Sequence, residues 1–377
     1  MHRVPFLPAS VLYVAAGALV AVVLAALDVA PLDPEGDHDL LERLTELALV
    51  VAVFAAGLTI ERHVRRRSWV SLALLLLVVM PLTILAIALF GMWAMGLSFA
   101  AALLLGAILA PTDPVLAGDV GLSAPGGEVY GEPRLSLHTE AGFNDGLASP
   151  FVVLGLFVAG EGGSGWVGEW LASDLLWGAG AGLLIGAAAG YGGAALLTRI
   201  GGLAGGLVTL GAAFGLHFAC EAIGTYGLLA VFAAGFTFRR YEFDHHIHRP
   251  VHQAADVAGG ALELLVLVML GTMLTTAGLD APGVEGWLLA PLLLVAVRPL
   301  LVFATAGSFM DLRARLFLAW FGVRGVAALF YATVVVGADV LPPDEQHVVV
   351  WTTIACVVCS IVVHGLSAAS LTRRWLG

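Results

Sequence analysis

The chain has no lysine; all 17 basic residues are arginine, which excludes a Schiff base or an amine nucleophile. Charge of either sign is scarce, at 12% of 377 residues. Cys220, Cys356 and Cys359 are the only cysteines. The Cys-x-x-Cys spacing of the last two lacks a second pair, so helix packing is the expected role instead of zinc or redox chemistry. No loop is long enough to fold as a soluble domain. The abundant material is apolar: 60% of the residues, with a mean hydropathy of +0.96. A water-soluble domain of this length could not carry that composition. The chain reads as one polytopic membrane domain, 1–377, whose partners include the lipid bilayer. Its net charge of −11 divides between two sides of the membrane, and no nucleic-acid partner is expected.

A window of about 19 residues suits a helix crossing a hydrocarbon core roughly 30 Å thick. Apolar segments of that kind fall near 8–27, 40–60, 69–90, 93–120, 135–159, 170–198, 203–220, 224–238, 256–277, 286–306, 313–336 and 346–370. The expected fold is all-α with about twelve transmembrane helices. Arginine placement agrees with that count. With the N-terminus inside, alternate loops hold Arg62 to Arg67, Arg134, Arg199, Arg239 to Arg249, Arg313 and Arg315, and Arg373 and Arg374. The opposite loops are acidic, which predicts both termini on the cytoplasmic side of the cell membrane. The first apolar segment is span-length without a clear cleavage site, so it is expected to be a retained helix.

Against this background the run Glu140-Ala141-Gly142-Phe143-Asn144-Asp145 stands out. An ionisable group inside a bilayer costs roughly 2.5–3.5 kcal/mol on insertion scales, so Asp145 needs a compensating role. A bound cation or a carried proton is the default. Pro111 and Pro114 remove two backbone donors within four positions, and the helix cannot continue through them. Thr112 and Asp113 sit in that interruption. Freed carbonyls and half-helix ends are tolerated at membrane depth only where they line a cavity. Asp113 can neutralise a half-helix N-terminus, and Thr112 offers two oxygens. The plainer reading of both is a proline-kinked helix with a Thr-Asp cap. Competition of H+ and a hard monovalent cation for Asp145, with Thr112 as a second oxygen ligand, would itself be an exchange mechanism. Asn144, about 100° round the helix from Asp145, is expected to bond a half-helix end.

The runs LLLGAILAPTDPVLAGDV, HTEAGFNDGLASPFVVLGL, GTYGLLAVFAAGFTFRR, VRPLLVF and WFGVRGVAALFY resemble, in order, the landmarks of the NhaP-type sodium/proton antiporters. These form a branch of the monovalent cation:proton antiporters that includes the sodium/hydrogen exchangers. The resemblance implies inverted repeats and interrupted crossing helices. It implies a core ion-binding bundle, roughly 69–159 and 286–370, and a second bundle, roughly 8–60 and 170–277, that forms a homodimer. It pairs Glu140 with Arg324 as a structural ion pair, with Arg298 in a supporting role. The Asn144-Asp145 pair implies electroneutral exchange of Na+, with Li+ or K+ as alternatives, for H+. No cofactor is implied; the ions are cargo.

Two positions depart from the family pattern. Phe54-Ala55-Ala56-Gly57 lacks a carboxylate that many relatives carry, and Ala141 replaces a frequent serine. Asp244, His245, His246, His248 and His252 read as a solvated cytoplasmic cluster, with metal binding or pH sensing as the alternative. Glu46, Glu221, His217, Glu263 and His364 lie in or near spans, where helix support is expected ahead of a proton path. Two other functions compete. A cation channel would show a repeated filter or pore-lining series, and the sequence has neither. An intramembrane aspartyl protease would have to use Asp113 and Asp145.

Overall fold

The computed structural model describes residues 8–60, 66–113, 132–160, 165–197, 202–245, 249–305 and 310–376, and among these every regular element is a helix. Eight are long and apolar enough to cross a membrane: Ala9–Ala26, Ser68–Trp93, Leu135–Gly160, Trp166–Leu196, Ala204–Ala222, Pro250–Met273, Gly283–Thr305 and Pro343–Trp375. His38–Leu58 and Gly227–His245 are of comparable length but carry charges toward one end. Phe99–Leu109 and Val326–Ala338 are shorter apolar helices. The chain is a multi-pass, all-α membrane protein.

Two expected segments begin or break elsewhere than hydropathy placed them. The stretch from 93 starts with the end of the helix Met80–Trp93 and a turn at Gly96, whose φ is +71°. The next helix begins at Phe99, where the Ser98 hydroxyl accepts the Ala101 N–H as an N-cap. The stretch 313–336 is two helices, Leu312–Trp320 and Val326–Ala338, separated by the non-helical residues 321–325. Apolar turn residues are invisible to a hydropathy window, which explains both differences.

One order of elements occurs twice. Proline has no N–H to donate one turn back, and a wide turn precedes it in two helices. Leu75–Val79 widens ahead of Pro81, and Leu292–Val297 widens ahead of Pro299. Each helix is followed by a short helix that stops at an interruption, Phe99–Leu109 and Leu312–Trp320. A long apolar helix comes later in both halves, Leu135–Gly160 and Pro343–Trp375.

His38–Leu58 packs against Gly227–His245, Arg249–Met273, Glu132–Leu147 and Val326–Ala338, so it touches elements of both expected bundles. In lipid, helices associate through close van der Waals contact, which small residues permit. A Cβ at Gly57 would lie 2.6 Å from the Phe232 carbonyl oxygen and 3.0 Å from Gly235 Cα. Any larger residue would force the two backbones apart. The side chains of Leu104, Leu105, Ile108 and Leu109 are wholly buried around the first interruption, and they fix the place where its polar groups meet the second.

Candidate ion-binding site

Each interrupted helix leaves orphan backbone groups, and each is capped by a charge from the other interruption. Val326–Ala338 starts at Gly325, which has no side chain to cap the free N–H groups. Asp113 supplies that cap: its Oδ2 accepts the Val326 N–H. The Asp113 N–H in turn donates to the Val323 carbonyl at 2.8 Å. At the C-terminal end of Phe99–Leu109 the roles reverse. Arg324 Nε donates to the Leu109 carbonyl, and its Nη1 donates to the Gly322 carbonyl at 2.7 Å. An anion at a helix N-terminus and a cation at a C-terminus are each the favourable sign. Asp113 and Arg324 are buried, at 2% and 1% exposure.

Asn144 fastens the neighbouring helix to the first interruption. Its Oδ1 accepts the Thr112 N–H at 3.2 Å, and its Nδ2 donates to Thr112 Oγ1 at 2.8 Å. Both hydrogen-bonding ends of the amide are used on one residue. Asp145, the next position, points elsewhere. Its exposure is 0%, and neither carboxylate oxygen has a hydrogen-bond partner among the described residues. The Asp145 backbone is held separately: the Tyr331 hydroxyl donates to its carbonyl, with the Ser149 hydroxyl 2.9 Å from the Tyr331 oxygen. Proline at 150 and the turn at Ala148 interrupt the helical ladder here, which frees local carbonyls for such a donor.

The partner of Glu140 differs from the expected one. Arg298 Nη1 and Nη2 donate to Glu140 Oε1 and Oε2, both at 2.9 Å, while Arg324 is spent on carbonyls. The planar guanidinium fork fits a carboxylate at two points. Arg298 Nε also donates to the Leu318 carbonyl at 3.2 Å, near the C-terminal end of Leu312–Trp320. This geometry depends on Gly322, whose Cα faces the Arg298 side chain closely enough that a Cβ would overlap Arg298 Cδ and Nε. The ion pair Glu140–Arg324 is therefore corrected to Glu140–Arg298.

The two family departures lie on helices that pack together. A Cβ at Gly142 would overlap the Ala56 methyl group, and Ala56 and Ala141 are exposed at 3% and 0%. Small apolar groups close this side of the helix that carries Asp145. Several other polar residues have partners of their own. His217 Nε2 pairs with Glu46 at 2.8 Å, and Glu221 accepts the Gly227 N–H at 2.7 Å. His252 Nε2 lies 3.1 Å from Glu242. His246 and His248, with Pro114, lie outside the described residues, as do the side chains of Asp244 and His245. Tyr331 and Ser149 carried no earlier assignment; a phenol seven residues after Arg324 on an otherwise apolar helix is the signal that could have marked it.

The sequence profile described as "Sodium/hydrogen exchanger, transmembrane" matches residues 1–374. The chain belongs to that family. Among its sequence relatives, the Na(+)/H(+) antiporter 2 of Zygosaccharomyces rouxii is 30% identical over 371 residues, 86% of this chain and 45% of the relative. The Na(+)/H(+) antiporter of Saccharomyces cerevisiae is 29% identical over 87% of this chain and 37% of its own. The K(+)/H(+) antiporter NhaP of Alkalimonas amylolytica is 26% identical over 88% and 56%. The chain thus spans about half the length, or less, of the curated relatives it matches first. Among solved structures, the sodium proton antiporter MjNhaP1 of Methanocaldococcus jannaschii superposes with a TM-score of 0.75 at 21% identity, covering 97% of both chains. A second structure of the same protein gives 0.81 over 98% of this chain and 92% of that one. This exchanger-family member therefore has the MjNhaP1 fold, and its family is one of membrane transporters.

Proposed function

We propose that the chain is a secondary antiporter that exchanges a monovalent cation for H+ by alternate occupancy of Asp145. Na+ is the first candidate, with Li+ and K+ next. The carrying observation is a fully buried carboxylate without a partner among the described residues, set beside the crossing of two interrupted helices. A buried anion is tolerable when a cation or a proton offsets it. Asp145 and Thr112 would hold the metal cargo, Na+. Asn144 and Asp113 would keep the interruptions in register, the Glu140–Arg298 pair would brace them, and Arg324 would cap the first. Relatives named for Na+/H+ and K+/H+ exchange support the class of cargo.

The reading assigns transport without bond-breaking chemistry and needs no cofactor. The twice-occurring order of elements supports two repeats of inverted orientation, with about twelve crossings in all. The chain would work as a homodimer in the cell membrane with both termini cytoplasmic. The core bundle, roughly 69–159 and 286–370, would move against the bundle at roughly 8–60 and 170–277.

The test is flux in proteoliposomes. An outward Na+ gradient should drive H+ uptake, and Asp145→Asn should abolish it while the protein still inserts and stays monodisperse in detergent. Normal exchange by that variant would sink the assignment, and conductance without proton coupling would point to a channel.

A further inference from the structure

The long helix Pro343–Leu376 is apolar over most of its length, yet Ser360, His364 and Ser367 recur along it at steps of four and three. That spacing sets them on one face. All three reach the second interruption. Ser360 Oγ accepts the Arg324 N–H at 2.8 Å, His364 Nε2 lies 2.8 Å from the Trp320 carbonyl, and Ser367 Oγ accepts from Trp320 Nε1 at 3.0 Å. Both ring nitrogens of His364 face a carbonyl: Nε2 that of Trp320, and Nδ1 that of Ser360 at 2.9 Å. Nδ1 is also 3.0 Å from Ser360 Oγ, so the ring ties Ser360 to Trp320 in either tautomer. Trp320 ends the helix Leu312–Trp320, and Arg324 lies just before Val326–Ala338. Ser360 and His364 therefore hold the two lips of the interruption.

We propose that His364 is a positioning residue for cation exchange. Together with Ser360 it fixes the separation of Trp320 and Arg324. That separation is the one at which Arg324 reaches the Leu109 carbonyl and Asp113 reaches the Val326 N–H. Through Thr112 and Asn144, those contacts set one wall of the Asp145 pocket. The inference rests on exchange at Asp145. The competing view of His364 is ordinary helix adhesion, which would change stability and leave cation affinity alone.

The experiment uses the full chain and Na+ as the probe. The parent, His364→Leu, His364→Gln and Ser360→Ala are compared by Na+-driven H+ flux in proteoliposomes and by the Na+-induced rise in Tm in detergent. His364→Leu removes the ring's link to Trp320 and should raise the apparent KM for Na+ about five- to tenfold and shrink the Na+-induced Tm shift, a magnitude expected of one lost hydrogen bond. His364→Gln keeps an N–H donor and should bring KM back within about twofold of the parent. A parental KM in His364→Leu, or a Gln variant as impaired as the Leu variant, would overturn the proposal. If His364→Leu fails to insert, Ser360→Ala decides: a raised KM upholds it and a parental KM overturns it. A parent that gains Tm with Na+ without exchanging would refute the exchange reading alone, and the Tm shifts of the variants would then judge His364. A parent that does neither overturns both.

Discussion

Glu140 and Arg298, 158 positions apart, close a two-point ion pair with both N–H···O distances at 2.9 Å and side-chain exposures of 3% and 4%. Removing one partner strands the other charge in a buried site. Arg298→Ala should therefore destabilise the protein by about 3–5 kcal/mol, and the double variant Glu140→Gln/Arg298→Met should recover much of that loss. Thermal and denaturant unfolding in detergent measure both. A single variant that melts with the parent would contradict the bridge.

Gly322→Ala attacks the same pair indirectly. Its new methyl group would occupy the place of Arg298 Cδ and Nε, so the guanidinium must shift off Glu140 or Leu318. Overpacking of this kind costs about 1–3 kcal/mol. The variant should lose less stability than Arg298→Ala and should add little to it in combination, because both act on one contact. Additive losses would show that the two residues act separately.

How much of this site was legible in the sequence depends on what each residue does. Asp145, Asn144, Thr112 and Asp113 stand out because a polar cluster in apolar sequence has few other uses, and Asn144 is the chain's only asparagine. The partner of Glu140 was not legible. Arg298 and Arg324 are both remote from it along the chain, and hydropathy reports which helix carries a charge but not which way it faces. The deciding fact is local: an interruption after Leu109 leaves carbonyls that need a donor, and Arg324 satisfies them. Similarly, the Ser360, His364 and Ser367 face is visible as a spacing, but its target appears only when the terminal helix lies beside Trp320.

Asn144 carries no charge, and Asp145 would alternate between one proton and one monovalent cation. The cycle should then move no net charge. Proteoliposome equilibria should be indifferent to a potassium/valinomycin potential, and solid-supported membrane recordings should show no sustained current. Asn144→Asp places a second carboxylate against Thr112, and current should appear in that variant. A reversal point of the parent that moves with voltage would require another titrating group, Asp113 first.

Tyr331→Phe removes one hydroxyl from a buried position. The Asp145 carbonyl loses its donor and Ser149 loses its partner, at a cost of about 1–3 kcal/mol. The ring volume is kept, so the protein should insert normally and melt earlier. Parental stability would mean that the carbonyl finds another donor.

The absence of a partner for the Asp145 carboxylate among the described residues also bears on leakage. A carrier that exchanges by moving its site across the membrane must be prevented from returning empty. An empty, ionised Asp145, itself 0% exposed, would have to travel as a bare charge. Reorientation with cargo aboard, Na+ or H+, avoids that barrier, which amounts to several kcal/mol. Obligatory coupling would then need no separate gate, because the penalty that selects for an occupied site also suppresses slip.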